Sequence, residues 1–328
     1  MKIAVGVDIG GTNIKTVVVS EKGKMLSSLS HPTPGKEDKV ALKDLMVGVL
    51  KEIINEDYLK KISSSEAGID DIAGIGFGIA GLIDSKEGVV IESPNIPNIN
   101  GLNIKKIFEK EFPFPVVVNN DANICAYGEK WGGTGKDFDN FIVLMLGTGL
   151  GGGFIYRGEL YEGAFEIGHM VIEPNGLFCT CGSSGCLESY ASGRAIVERA
   201  TTAMEKGSES ILTKCCDGNF YKITPEDIYK AALDGDNLSR ELFRPLGHYL
   251  GIGIANLINL LSPEAVIIGG GLVGAWDLFI EELEKEVSKR AFKPLNARVK
   301  ILKTVLNKEC GSVGAAGLAF NAAKLSAK

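Results

Sequence analysis

The sequence predicts an α/β protein built from two domains of related plan, closing over a central cleft. Three observations carry this. An apolar run ending at Asp8 leads into Gly10-Gly11-Thr12 and then into a β-branched run over residues 14–19. The same order of strand, Gly/Thr turn and strand returns at residues 141–146, Gly147-Thr148-Gly149-Leu150-Gly151-Gly152-Gly153 and Phe154-Ile155-Tyr156, with Gly147 standing 137 positions after Gly10. Stretches of helical spacing alternate with these short apolar runs. Repetition on that scale indicates a duplicated domain, because solenoid repeats are only about 20–50 residues long.

Taken in order, Ile3-Ala4-Val5-Gly6-Val7 reads as a buried strand closed by Asp8, and residues 10–13 as a turn. Residues 14–19 form a second strand and 25–29 a third. Short Gly-rich turns between such runs indicate an antiparallel meander. Over residues 39–59, Val40, Leu42, Leu45, Val49, Leu50, Ile53 and Ile54 recur at helical spacing. Residues 72–79 and 116–118 add strands. In the second half, residues 249–261 read as a helix in which Gly251, Gly253 and Ala255 permit close packing. Pro263 ends it, and the strand 265–268 runs into Gly269-Gly270-Gly271. Helices follow over 277–290 and from Val313 to the C-terminus. The domain boundary is expected just before Asn119. That gives a small α/β domain of residues 1–118 plus 310–328 and a larger one of 119–309. No low-complexity linker separates them.

Composition narrows the class. The 328 residues suffice for two sizeable cores. A net charge of -6, without any basic run, argues against nucleic acid or an anionic membrane as partner. The apolar run before Asp8 is too short for a signal-peptide core or a membrane span. A cytoplasmic protein is therefore expected, with its thiols reduced. Seven cysteines are an odd number, so a full disulfide framework is not expected, and Cys125 and Cys310 read as isolated small residues.

Three of those cysteines crowd into Cys179-Thr180-Cys181-Gly182-Ser183-Ser184-Gly185-Cys186, with His169 shortly upstream. Three soft sulfur donors and an imidazole suit tetrahedral zinc. Four protein ligands leave no position for a reactive water, so the zinc is expected to be structural. Glu166 and Glu188 bracket the cluster and are not needed for the metal.

The Gly-rich turns suit phosphate binding, because glycine lets backbone N–H groups approach an anion closely. Two familiar nucleotide motifs are excluded. No Gly-x-x-x-x-Gly-Lys-Ser/Thr occurs. Gly147-x-Gly149-x-x-Gly152 and Gly76-x-Gly78-x-x-Gly81 match the dinucleotide spacing, yet each leads into an extended run where that motif must open a helix.

Together the motifs resemble the ROK family of bacterial glucokinases, related hexose kinases and sugar-responsive repressors. Asp8-Ile9-Gly10-Gly11-Thr12 resembles the first phosphate loop of kinases with the actin and hexokinase fold, and residues 146–153 look like the second. Ile267-Ile268-Gly269-Gly270-Gly271 resembles their adenosine segment. Asn120-Asp121-Ala122-Asn123 is similar to a catalytic motif, and the Glu-x-Gly-His and cysteine segments narrow the match to ROK proteins.

The resemblance implies a duplicated ribonuclease H-like fold and ATP-dependent transfer to the primary 6-hydroxyl of a hexose, with glucose to glucose 6-phosphate the first expectation. Asp121 is implied as the base. Gly81, Asn95, Asn120, Asp121, Glu166, His169 and Glu188 are implied at the sugar. Asp8, Gly10, Gly11, Thr12, Asn13, Lys15, Gly147, Thr148, Gly149, Gly269, Gly270 and Gly271 are implied at ATP, with Asp8 near Mg²⁺ through water. The zinc ligands are His169, Cys179, Cys181 and Cys186. A homodimer is the expected assembly, a tetramer the alternative.

The chain departs from the family where Phe165 replaces the usual Gly before Glu166. N-acetylmannosamine, N-acetylglucosamine and fructose are therefore alternative substrates. A sugar-sensing regulator is the non-enzyme alternative. It is disfavoured by the acidic charge and by a first strand at Ile3, which leaves no room for an N-terminal DNA-binding domain.

Overall fold

The computed structural model describes residues 1–34, 39–64, 66–216 and 218–326. Residues 327–328, assigned above to the last helix, and the side chain of Val40 lie outside the described residues. By its contacts the chain divides into two compact units.

The first unit comprises Met1–Asp139, Gly153–Glu162 and Val305–Lys328. Its sheet is built from β1 (Ile3–Ile9), β2 (Asn13–Ser20), β3 (Met25–Pro32), β4 (Ile72–Ile79) and β7 (Val116–Asn120), in the order β3-β2-β1-β4-β7. β5 (Leu82–Asp84) and β6 (Val89–Glu92) form a separate hairpin. The meander is antiparallel, while β4 and β7 run parallel to β1.

Side chains alternate across a strand, and β1 uses both faces. Ile3, Val5, Val7 and Ile9 join Leu42, Leu50 and Ile53 of α1 (Lys39–Ile53) and Phe108 of α3 (Ile104–Glu111) in one core. Ala4 faces the other way, onto Ala316, Ala319 and Phe320 of α11 (Cys310–Ser326). That second face is lined with small residues because the helix backbone comes so close. A Cβ at Gly6 would strike the Ser312 carbonyl, and one at Gly76 the Ala315 carbonyl.

The second unit comprises Asn140–Gly152 and Gly163–Thr304. The second sheet takes β8 (Phe141–Leu146), β9 (Leu150–Tyr156), β10 (Glu159–Leu160), β11 (Ala265–Gly269) and β12 (Lys300–Lys303) in the order β10-β9-β8-β11-β12. Numbered within each half, both sheets read third-second-first-fourth-fifth, as the duplication predicts. β11 is parallel to β8 and β12. Around it run α5 (Gly193–Glu205), the short α6 (Leu212–Cys215), α7 (Pro225–Leu233), α8 (Asn237–Leu261), α9 (Trp276–Arg290) and α10 (Lys293–Asn296).

Four expectations need correction. The helix expected over 39–59 breaks in two, because the Asn55 side chain accepts from the N–H groups of Asp57 and Tyr58 and caps a new helix, α2 (Glu56–Ile62). The helix expected over 249–261 begins twelve residues earlier, at Asn237, capped by Asp236 and carrying Pro245 inside it. The boundary expected before Asn119 falls within the first unit. β7 stays paired to β4 as far as Asn120, and α4 (Asp121–Gly132) packs on α11, so the chain leaves this unit only after Asp139. Finally, Cys125 and Cys310 are not isolated but joined in a disulfide. They are 185 positions apart, so spacing gave no hint of the pairing.

Candidate active site

In the first unit the site grows from the C-terminal ends of β1, β4 and β7. β7 ends at Asn120, whose Oδ1 accepts from the N–H groups of Ala122 (2.9 Å) and Asn123 (3.2 Å). This N-cap makes Asp121 the first residue of α4. The other end of the same amide donates to the Gly81 carbonyl at 2.8 Å, which ties the turn after β4 to the head of the helix. Gly81 has φ +132°, a conformation that a side chain disfavours. Asn95 packs on the first Gly turn: a Cβ at Gly11 would stand 3.2 Å from the Asn95 Cβ.

Asp8 lies next to the C-terminal residue of β1, and the antiparallel register sets Lys15 opposite it. Burial, and then the neighbouring Asp121 charge, push the Asp8 carboxyl up to about 7; Lys15 offsets part of this and Glu309 adds to it. Lys15 Nζ donates to the Lys308 carbonyl at 2.7 Å and lies 3.9 Å from Glu309 Oε1. Within the turn, Gly10 N–H donates to the Asn13 carbonyl (3.0 Å). Thr33 then takes the Gly10 and Thr12 carbonyls through its hydroxyl and N–H.

In the second unit the Gly147 N–H donates to the Gly149 carbonyl at 3.0 Å, closing the second turn. The start of α5 holds that turn from outside, with Gly193 N–H on the Gly147 carbonyl (2.8 Å) and Arg194 N–H on the Thr148 carbonyl (3.1 Å). Glu188 Oε2 accepts from Leu150 N–H at 2.8 Å and lies against Gly149. Gly270, at φ +90°, packs on the Leu146 carbonyl, so the third Gly turn lies beside the second. Gly269 neighbours Met145 and Thr304, and Gly271 follows at the start of a short 3₁₀ turn. β9 begins at Leu150, earlier than the Phe154 start expected, so Gly151, Gly152 and Gly153 belong to the strand and not to the turn.

His169, Cys179, Cys181 and Cys186 converge, with their donor atoms all within 4.8 Å of one another. Cys179 Sγ lies 3.7 Å from His169 Nδ1, and Cys181 Sγ 3.7 Å from Cys186 Sγ. A tetrahedron with Zn–S bonds of about 2.3 Å has edges of about 3.8 Å, so the donor set fits zinc. Glu166 sits on the turn that delivers His169, its carbonyl accepting from His169 N–H at 3.0 Å. Phe165 lies half-buried against Gly152.

Residues 4–322 match the ROK family. The chain belongs to the ROK family. A glucokinase of Streptomyces coelicolor is 36% identical over 97% of this chain and 98% of its own length. A xylose repressor of Caldicellulosiruptor bescii is 32% identical over 88% of this chain and 70% of the repressor. Among solved structures, a ROK family glucokinase from Streptomyces griseus in complex with glucose and AMPPNP is 35% identical, with a TM-score of 0.81 over 97% of this chain and 99% of that one. The repeated sheet order is thus the actin and hexokinase-like fold that the motifs implied.

For this ROK chain, each unit gathers its own share of the residues singled out from sequence. Asp8, Gly10, Gly11, Thr12, Asn13, Lys15, Gly81, Asn95, Asn120 and Asp121 fall in the first. Gly147, Thr148, Gly149, Glu166, His169, Glu188, the three cysteines and Gly269–Gly271 fall in the second. Sequence reasoning missed Glu309 and Gly311, which meet Asp8, and the Ser192-Gly193-Arg194 segment that holds the second turn. Only the Ser192 N-cap before a helical run was a usable signal.

Proposed function

We propose that this ROK protein is an ATP-dependent glucokinase that transfers the γ-phosphoryl group of ATP to the 6-hydroxyl of glucose. What carries the reading is Asp121 at the head of α4, beside Asp8 and roped to Gly81 by Asn120, in a chain similar along its whole length to a glucokinase.

Asp121 takes the proton from the sugar's primary hydroxyl as that oxygen attacks phosphorus. Asn95, Asn120, Gly81, Glu166, His169 and Glu188 hold the remaining hydroxyls; ionised carboxylates accept from two hydroxyls at once. The turns at Gly10–Asn13 and Gly147–Gly149 offer backbone N–H groups to phosphate, and Gly269–Gly271 flank the adenosine. Lys15 adds a cation near the first turn. Mg²⁺ bound with ATP would neutralise developing phosphate charge, and Asp8 would hold it through water. His169, Cys179, Cys181 and Cys186 would hold a zinc ion that would brace the loop carrying Glu166 and Glu188, a structural zinc contributing about 10–16 kcal/mol of apparent binding energy to such ordering. The protein acts in the cytoplasm, as a homodimer.

A coupled assay with glucose, mannose, fructose, N-acetylglucosamine and N-acetylmannosamine, with and without ATP, tests this. Glucose is expected to give the highest kcat/KM. Phe165 over Gly152 favours one second reading, in which a hexosamine is the better substrate. Binding of sugar without turnover of any would support a sensing role instead.

A further inference from the structure

Cys125 and Cys310 form a disulfide with Cα atoms 4.7 Å apart. The other five cysteines, in the metal loop and at 215–216, are free. Both bridged residues are buried, at 6% and 4% exposure. Cys125 stands four residues past Asp121 on α4, so the two share a face of that helix. Cys310 opens α11, and Gly128 of α4 packs on its carbonyl. The next residue, Gly311, lies against the Asp8 carboxylate. The bridge therefore joins the helix that carries the base to the helix end that touches the base's charged neighbour.

We propose that Cys125 and Cys310 are a reversible thiol–disulfide site through which small disulfides set the rate of phosphoryl transfer. The effect on rate rests on the kinase reading above, whereas formation of the bridge does not. In the oxidising direction, one cysteine thiolate attacks a sulfur of a low-molecular-weight disulfide and releases one small thiol. The second cysteine thiolate then attacks the protein sulfur of that mixed disulfide and releases the other. Two electrons pass to the small disulfide, and the two thiol protons leave with the two small thiols. Because both sulfurs are buried, exchange runs through local opening of the first turn of α11 and is slow. Bridged, α4 and α11 hold Asp121 and Asp8 at one spacing; reduced, they depend on packing alone. A misplacement of about 1 Å at a reacting centre can cost about 100-fold, so the reduced form is the slower. In reducing cytosol such a bridge is transient and redox-sensing.

The test equilibrates the full-length, zinc-loaded protein with glutathione disulfide or with glutathione, then measures kcat and maps the alkylated peptides. The bridged peptide is expected only in the first sample, with kcat about 3–30-fold above the second. Cys125→Ala and Cys310→Ala are each expected to turn over at one rate in both buffers. Cysteines 125 and 310 that stay open to alkylation in glutathione disulfide overturn the proposal. So do bridged and reduced forms of equal kcat, or variants that still respond to the buffer through another thiol. A chain that phosphorylates no hexose in either buffer overturns it together with the kinase reading, and the mapped bridge tells that failure from failure of the site itself.

Discussion

Asp121 and Asp8 are neighbouring carboxylates whose charges oppose one another, and each is open to its own test. As the proposed base, Asp121 is expected to be nearly indispensable: Asp121→Ala should lower kcat by about 10²–10⁴-fold while circular dichroism and Tm stay near wild type. Retention of most of the turnover would remove the assignment. For Asp8, the folded carboxyl titrates at about 7 and the free one at 3.8. The folded state therefore binds the proton more tightly, so this residue's stabilising contribution is complete below about pH 4. It is lost as pH rises through 7. The unfolding free energy of the ligand-free protein, measured by urea denaturation from pH 4 to 8, should fall more steeply for the wild type than for Asp8→Asn, with a difference of up to about 4 kcal/mol across the window. Parallel curves would show that the fold does not hold this proton.

Elements, rather than residues, explain why the site forms where it does. α11 lies so close on the first sheet that Gly76 meets the Ala315 carbonyl. Gly76→Ala is expected to cost about 1–3 kcal/mol in urea denaturation, since backbone cannot rotate out of the way as a side chain can. The metal loop makes a second case. Cys181→Ser is expected to lose zinc, seen by metal analysis, and to raise KM for the sugar as Glu166, His169 and Glu188 loosen. Zinc-free protein with an unchanged KM would separate the metal from the pocket.

What was legible in the sequence follows the same division. Strands, Gly turns and the Cys/His cluster show in local spacing, so β1 to β4, both turns and the four residues of the Cys/His cluster were found there. The break at Asn55 was missed because a side chain capping its own backbone leaves the apolar period intact. The Cys125–Cys310 pairing, Glu309 beside Asp8, and α5 behind the second turn are long-range contacts, to which periodicity is blind.

At the scale of the whole molecule, the second unit is inserted into the first along the chain, and the covalent link at Cys125–Cys310 spans that insertion. Closing so long a loop restricts the unfolded chain, and its removal by Cys310→Ala is expected to cost about 3–5 kcal/mol, read as a lower denaturant midpoint under oxidising conditions. An unchanged midpoint would mean that packing of α4 on α11 alone holds the unit together.

The position of α11 also imposes an order on biosynthesis. The ribosome releases β1 long before α11, yet α11 covers one face of that strand. The inserted unit, contiguous from Gly163 to Thr304, has nearly all its partners before α11 is made, whereas the segment from β1 must wait for that helix. During that interval Ala4, Val17 and Val19 stay uncovered on a nascent sheet, and Cys125 is a thiol without its mate. Chaperone demand and premature disulfide exchange should therefore concentrate on the segment from β1 to α4, which waits for α11.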